Sequence, residues 1–118
     1  MFKITSGKGF HITFQNGWTV SVQWGPGNYC ENRNFSVYSQ DADREAGKQG
    51  SENAEIMVWN HDGNSPKISS HDTVRGWVTP DSLIEVLGMI QQMDASTPLA
   101  EIEKNMQEIF SETWEDDS

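Results

Sequence analysis

The sequence of 118 residues is poor in several features that would identify its cellular setting. It contains a single cysteine, Cys30, so no disulfide can form within the chain, as is usual for proteins of reducing compartments. It has no apolar run near the roughly 20 residues that a membrane helix needs. Its first nine residues lack the apolar core of a signal peptide. These absences predict a cytoplasmic protein with no membrane contact.

Sequence motifs of catalysis are also missing. The three histidines, His11, His61 and His71, have no His-x-x-x-His spacing, and there is no Cys-x-x-Cys pair to favour zinc. Neither a phosphate-binding Walker loop nor a nucleophile elbow is present. We therefore expect no cofactor, no metal and no enzymatic activity. A hydrolase that uses Cys30 or an adjacent His-Asp pair is the least favoured interpretation.

The segment from Asp41 to Glu52 resembles a calcium-binding loop in part. Acids stand at its first, third, fifth and twelfth positions, which are oxygen-donor positions of an EF-hand. However, Ala46 stands where the sharp turn requires glycine, and Lys48 replaces an apolar residue. No apolar helices flank the segment, so a polar surface loop is favoured over a calcium site.

Basic residues are few, and the acidic residues are concentrated at one end of the chain. The net charge is −10, of which residues 1–79 contribute −1 and residues 80–118 contribute −9, with Lys104 as the one base in that second part. An acidic surface of this kind repels a phosphate backbone and attracts a basic protein. We expect no direct binding of nucleic acid.

Two segments with alternating apolar residues predict an N-terminal β-hairpin. A three-residue loop, Gln15-Asn16-Gly17, pairs Phe14 with Trp18 and keeps the apolar residues of both strands on one face, whereas a two-residue loop mixes apolar with polar residues. We predict a type I turn with Gly17 in the left-handed conformation as a bulge. The apolar face comprises Phe10, Ile12, Phe14, Trp18, Val20, Val22 and Trp24.

Further strands are predicted in the remainder of the first 79 residues. Ala54–Trp59 alternates between apolar and other side chains, and Phe35–Ser39, Lys67–Ser70 and Thr73–Val78 are weaker candidates. The sequence thus predicts a sheet of four to six antiparallel strands.

Two amphipathic helices are predicted after the sheet. Thr79-Pro80 and Thr97-Pro98 each combine a capping residue with a proline suited to the first helical position, and a helically spaced apolar stripe follows each pair. We predict one α+β domain over residues 1–118, with the sheet in residues 1–79, both helices in residues 80–114 and a frayed tail in residues 115–118.

Two stretches are candidates for binding. The segment GPGNYCENR, residues 25–33, offers flexible glycines together with Asn28, Tyr29 and Arg33, which suit an anionic metabolite or a nucleotide. The competing interpretation is a tight turn after a strand. The second candidate is an acidic stripe that the helical spacing places opposite the apolar stripe of the second helix. It comprises Glu101, Glu108, Glu112 and Glu115. Its competing interpretation is a solvated helix face.

The blocks GKGFHITFQNGWTVSVQWGPGNYCENRN, residues 7–34, and SENAEIMVW, residues 51–59, carry a resemblance to a known group. They resemble small proteins encoded in phage and prophage genomes. The resemblance implies a small accessory protein in the cytoplasm of a bacterial host, and it brings no catalytic residue with it. Our leading hypothesis is a non-enzymatic protein that binds a host protein with a basic surface through the acidic stripe and inhibits it. The alternative is the small anionic-ligand or nucleotide binder.

Overall fold

The structure, a computed structural model, describes residues 1–4, 8–25 and 51–115. The described residues form one antiparallel sheet in which the strands lie in sequence order, and two helices follow the sheet. The strands are β1 (Phe2–Ile4), β2 (Gly9–Thr13), β3 (Thr19–Gln23), β4 (Ala54–Trp59) and β5 (Val74–Val78). The helices are α1 (Pro80–Gln91) and α2 (Leu99–Ile109). This is the α+β architecture that the sequence predicted.

The β2–β3 hairpin has the predicted register and loop. Ile12 pairs with Val20, and the Phe14 N–H donates to the Trp18 carbonyl at 2.9 Å, so the loop contains three residues. The Gly17 N–H donates to the Phe14 carbonyl at 3.0 Å, and Gly17 has a φ of +86°. A left-handed residue at this position is the bulge that such a loop requires.

The hydrophobic core lies between one face of the sheet and the two helices. Its sheet side includes the predicted apolar face of the hairpin, and α1 and α2 each contribute two fully buried residues. Burial of each large apolar side chain stabilises the fold by roughly 1.5–3 kcal/mol. The buried apolar residues are Trp18, Val20, Val22, Ala54, Ile56, Val58, Ile68, Val78, Val86, Ile90, Ile102 and Met106.

The remaining strands agree with the predictions in part. Ala54–Trp59 is a strand as predicted, and Thr73–Val78 contains β5, which begins one residue later. Lys67–Ser70 forms no strand, although Ile68 is fully buried there. β1 was not predicted, because three residues are too few to show a period. The candidate strand Phe35–Ser39 lies outside the described residues.

The helices begin close to their predicted signals. The Thr79 hydroxyl accepts a hydrogen bond from the Ser82 N–H at 3.3 Å, and Pro80 follows as the first residue of α1. α2 begins at Leu99, and the Thr97 hydroxyl instead accepts a hydrogen bond from the Asp94 N–H at 3.0 Å in the connection between the helices. No helix in the described ranges has the length and apolar character needed to cross a membrane.

The prediction that helices extend to residue 114 was wrong at the C-terminal end. α2 ends at Ile109, and Ser111 has a left-handed φ of +53°. The Ser111 N–H donates to the Glu108 carbonyl and the Glu112 N–H donates to the Gln107 carbonyl. This is the Schellman pattern, which satisfies the last carbonyls and turns the chain away from the helix axis.

Candidate protein-binding site

Two of the four predicted acidic residues lie on one side of α2. Glu101 and Glu108 are seven residues apart, which places them on the same stripe of a helix, and both are exposed. This side of the helix faces solvent because Ile102 and Met106 direct the opposite side into the core. The two carboxylates are therefore available to a partner.

A groove runs between the two helices beside this stripe, with a volume of about 670 Å³. We call it the α1–α2 groove, and it is lined by Glu85, Met89, Gln92 and Met93 from the α1 side and by Asn105, Glu108 and Ile109 from the α2 side. The carboxylates of Glu85 and Glu108 are exposed, whereas the two methionines and Ile109 are half-buried. The groove thus combines a floor that is apolar at Met89, Met93 and Ile109 and polar at Asn105 with a carboxylate from each helix.

The sequence predicted that Glu112 lies on the acidic face of α2, and this prediction was wrong. It follows the end of the helix and accepts two hydrogen bonds from Arg75 of β5, at 2.9 Å and 2.7 Å. It also accepts a hydrogen bond from the Trp114 indole at 2.9 Å, and the Arg75 guanidinium lies 3.6 Å from the centre of the Phe110 ring. Hydrogen bonds from Arg75 and then Trp114 lower the pKa of Glu112 to about 2. Glu112 therefore joins the segment after α2 to the sheet.

Glu115 is exposed at the end of the described residues, beyond the helix. Its predicted position on the helical stripe was wrong for the same reason as that of Glu112, since α2 ends at Ile109. A third glutamate of the helix, Glu103, also has a structural role, because its carboxylate accepts a hydrogen bond from the Lys67 N–H at 3.1 Å. The exposed acidic residues of the helices are therefore Asp81 and Glu85 in α1 and Glu101 and Glu108 in α2, and together they form the acidic surface on the helices.

The proposed ligand residues Asn28, Tyr29 and Arg33 lie outside the described residues, as does Cys30, so the anionic-ligand hypothesis stays a prediction. A cavity of about 340 Å³ lies near Trp24, where the chain leaves β3. The described part of its lining is mainly apolar and includes Glu52 but no basic residue. The cavity therefore gives no particular support to an anionic ligand.

The histidines show no arrangement that suits catalysis. His61 and Asp62 lie 3.5 Å apart in the exposed turn after β4. His11 packs edge-to-face on Trp59 with 5.0 Å between ring centres, and burial followed by the charge of Lys3 lowers the pKa of His11. No group of three potential metal ligands occurs in the described part of the chain. Most of the Asp41–Glu52 segment lies outside the described residues, so the calcium interpretation is not tested.

Two exposed apolar features were missed by the sequence analysis. Phe2 and Ile4 of β1 are 77% and 79% exposed, although they pair with Ile12 and Phe10 on the face of the sheet that carries the core. Trp77 of β5 is 55% exposed and has a φ of +53°, next to an irregularity in the β4–β5 pairing. A short edge strand and a local bulge leave no periodic signal that would reveal them.

Comparison with known proteins finds no similar protein. No family model matches the chain, and no curated protein or solved structure shows significant similarity to it.

Proposed function

We propose that this chain is a non-enzymatic accessory protein of phage or mobile-element type that acts in the bacterial cytoplasm. It binds a host protein with a basic surface and inhibits it. The observation that carries the proposal is the exposed acidic surface on the helices, where Glu85 and Glu108 line a groove that contains Met89, Met93 and Ile109, and Glu101 lies two turns before Glu108 on α2. Carboxylates around apolar area suit a basic protein, because the charges favour encounter and the apolar area supplies affinity.

The distribution of charge supports the same assignment. Residues 80–109, which form the two helices and their connection, contain six acids and one base and so carry −5, whereas residues 1–79 carry only −1. A field concentrated on one side of a molecule orients a basic partner toward that side before contact. Lys104, the one base in the helical part, is exposed and lies between Glu101 and Glu108 on α2, so it offsets one of the negative charges and leaves the acidic surface net negative.

The proposal is tested by affinity purification from a bacterial host lysate with the wild-type chain and the double variant Glu101→Lys/Glu108→Lys. A matched control, Asp62→Lys/Asp94→Lys, makes the same change in net charge at exposed positions outside the acidic surface. We expect the wild type and the control to retain the same basic protein and the double variant to lose it. Equal recovery of that protein by all three chains would overturn the proposal.

A further inference from the structure

We infer that the α1–α2 groove binds one amphipathic helix of the partner, with apolar side chains on the groove floor and lysine or arginine side chains at its rim. This inference rests on the proposed function, since it names the part of the basic partner that is recognised. It depends on three properties of the groove, which are its helical walls, its apolar floor and the sign of its charges.

The walls of the groove favour a helix over a strand. Both are built mainly from helical stripes, because Glu85 and Met89 are spaced i and i+4 on α1, and Asn105, Glu108 and Ile109 are spaced i, i+3 and i+4 on α2. Met93 lies two residues beyond the end of α1. Backbone groups within helices are already hydrogen-bonded, so these walls have no main-chain partners to offer a strand. A helix satisfies its own backbone and packs its side chains between two others, as in a helical bundle.

The floor of the groove is apolar and adaptable. Met89, Met93 and Ile109 pack against the core, and each remains partly exposed on the groove side. Methionine side chains are unbranched and flexible, and they are common where one surface accommodates apolar side chains of different shapes. The helical part of the α1 wall extends from Glu85 to Gln91, or about 9 Å at the rise of a helix. It therefore receives about two turns of a helix.

The charges around the groove specify a basic helix. Glu85 stands on the α1 side and Glu108 on the α2 side, and Glu101 continues the acidic row along α2. A second copy of this chain is a poor occupant because its own helices carry the same sign of charge. A partner helix with lysine or arginine on both flanks of an apolar stripe places a positive charge beside the glutamate of each wall.

The test uses two synthetic peptides of about 15 residues, a length at which isolated helices begin to form. Both contain only leucine and lysine in equal proportions. The first has leucine at i, i+3, i+4 and i+7, which forms an apolar stripe, and the second has the same residues in an order with no stripe. Isothermal titration at about 0.1 M salt, where long-range attraction is screened, should show the striped peptide binding at least about tenfold more tightly.

Two protein variants locate the binding. Met89→Gln/Met93→Gln makes the groove floor polar without a change of charge, and it should reduce the affinity for the striped peptide by about tenfold, to that of the scrambled one. The control Ile84→Gln removes an apolar residue of α1 that is 68% exposed and does not line the groove, and its affinity should equal that of the wild type. If the double variant fails to fold, methyl NMR of the wild type replaces it, with shifts of Met89 and Met93 on addition of the striped peptide as the expected result.

The possible failures are distinguishable. Three outcomes would overturn the groove inference alone. They are equal affinity of the two peptides for the wild type, equal losses of affinity in the Met89→Gln/Met93→Gln and Ile84→Gln variants, and unshifted methionine methyl signals. Unchanged binding of both peptides to Glu101→Lys/Glu108→Lys, or no binding of either peptide to the wild type, would overturn the proposed function as well.

Discussion

At the scale of single residues, Asn16 links the hairpin to the helices. Its side-chain oxygen accepts a hydrogen bond from the Trp18 N–H at 3.0 Å, which orders the turn. Its side-chain nitrogen donates to the carbonyl of Ile90, near the end of α1, at 2.9 Å and to the carbonyl of Met93, just beyond that end, at 2.7 Å. One amide thus serves two elements that are more than 70 residues apart in the sequence.

Replacement of Asn16 should therefore destabilise the whole domain. Asn16→Asp keeps the acceptor for Trp18 but loses both donated bonds and places a negative charge at the C-terminal end of a helix, which is unfavourable. We expect a loss of about 1–3 kcal/mol in the free energy of unfolding, measured by urea denaturation. Gln15→Ala, at the exposed neighbouring position, is the control and should cost less than about 0.5 kcal/mol. Similar losses in both variants would contradict the assigned role of Asn16.

The same residue shows what could be predicted from the sequence and what could not. The Asn16-Gly17 pair predicted a turn, and the alternation on either side predicted its three-residue loop, because both are decided by contacts within the hairpin. The contact of Asn16 with α1 could not be predicted, since it depends on how the helices pack on the sheet. Local patterns do not specify the relative positions of distant elements.

At the scale of secondary-structure elements, α1 contains a glycine that nothing in the structure requires. Gly88 lies within the helix, and a Cβ added there would have no atom within 4 Å outside the helix backbone. Glycine in a helix interior is less favourable than alanine by roughly 0.5–1 kcal/mol, because it loses more backbone freedom on folding.

Gly88→Ala should consequently stabilise the domain by about 0.5–1 kcal/mol, seen as a higher midpoint of urea denaturation. Gly17→Ala is the matched control, since Gly17 has a positive φ and a Cβ there would lie 3.1 Å from the Cβ of His61. That variant should be destabilised. A Gly88→Ala variant with unchanged or lower stability would show that glycine has a structural role at this position.

The end of α2 illustrates why the extent of the helix was predicted wrongly. Apolar and acidic residues continue at helical spacing through Phe110 and Glu112, so periodicity alone extends the helix. The helix ends because Ser111 adopts a left-handed conformation and Arg75 holds Glu112 against the sheet. Serine is not the usual residue for such a position, and the ion pair joins residues 37 apart in the sequence, so neither cause is visible in the local pattern.

The ion pair between Arg75 and Glu112 should make the free energy of unfolding depend on pH. The pKa of Glu112 is lowered from 4.5 to about 2 in the folded state, so its contribution is present above about pH 4.5 and is lost as pH falls toward 2. Wild type should be more stable than Glu112→Gln near neutral pH, and the difference should shrink over that interval. Partial exposure of the Glu112 side chain to solvent keeps the difference small.

Urea denaturation of both chains over about pH 2 to 7 measures this difference directly. Glu115→Gln removes the same charge from an exposed position three residues later, and it is the control for the change in net charge. A difference between wild type and Glu112→Gln that stays constant with pH would contradict the assigned pKa.

At the scale of the whole molecule, the predicted division into a neutral sheet and an acidic helical part describes the arrangement of elements well. Composition and periodicity were sufficient for this, because they reflect which faces are buried. They were not sufficient for the candidate site, where Glu101 and Glu108 remain on the helix but Glu112 and Glu115 do not. The sequence analysis also did not recognise Glu85 or the α1–α2 groove, since a groove exists only once two helices are packed together.

The order of the sheet has a consequence for the kinetics of folding. In the described sheet every strand pairs with its neighbours in the sequence, so most pairings close short stretches of chain. Proteins rich in such local contacts cross a lower entropic barrier and fold faster than those with distant pairings. The β3–β4 pairing is the exception, because residues 24–53 separate its two strands. We expect this pairing to be formed in the rate-limiting step and the β2–β3 hairpin to form before it.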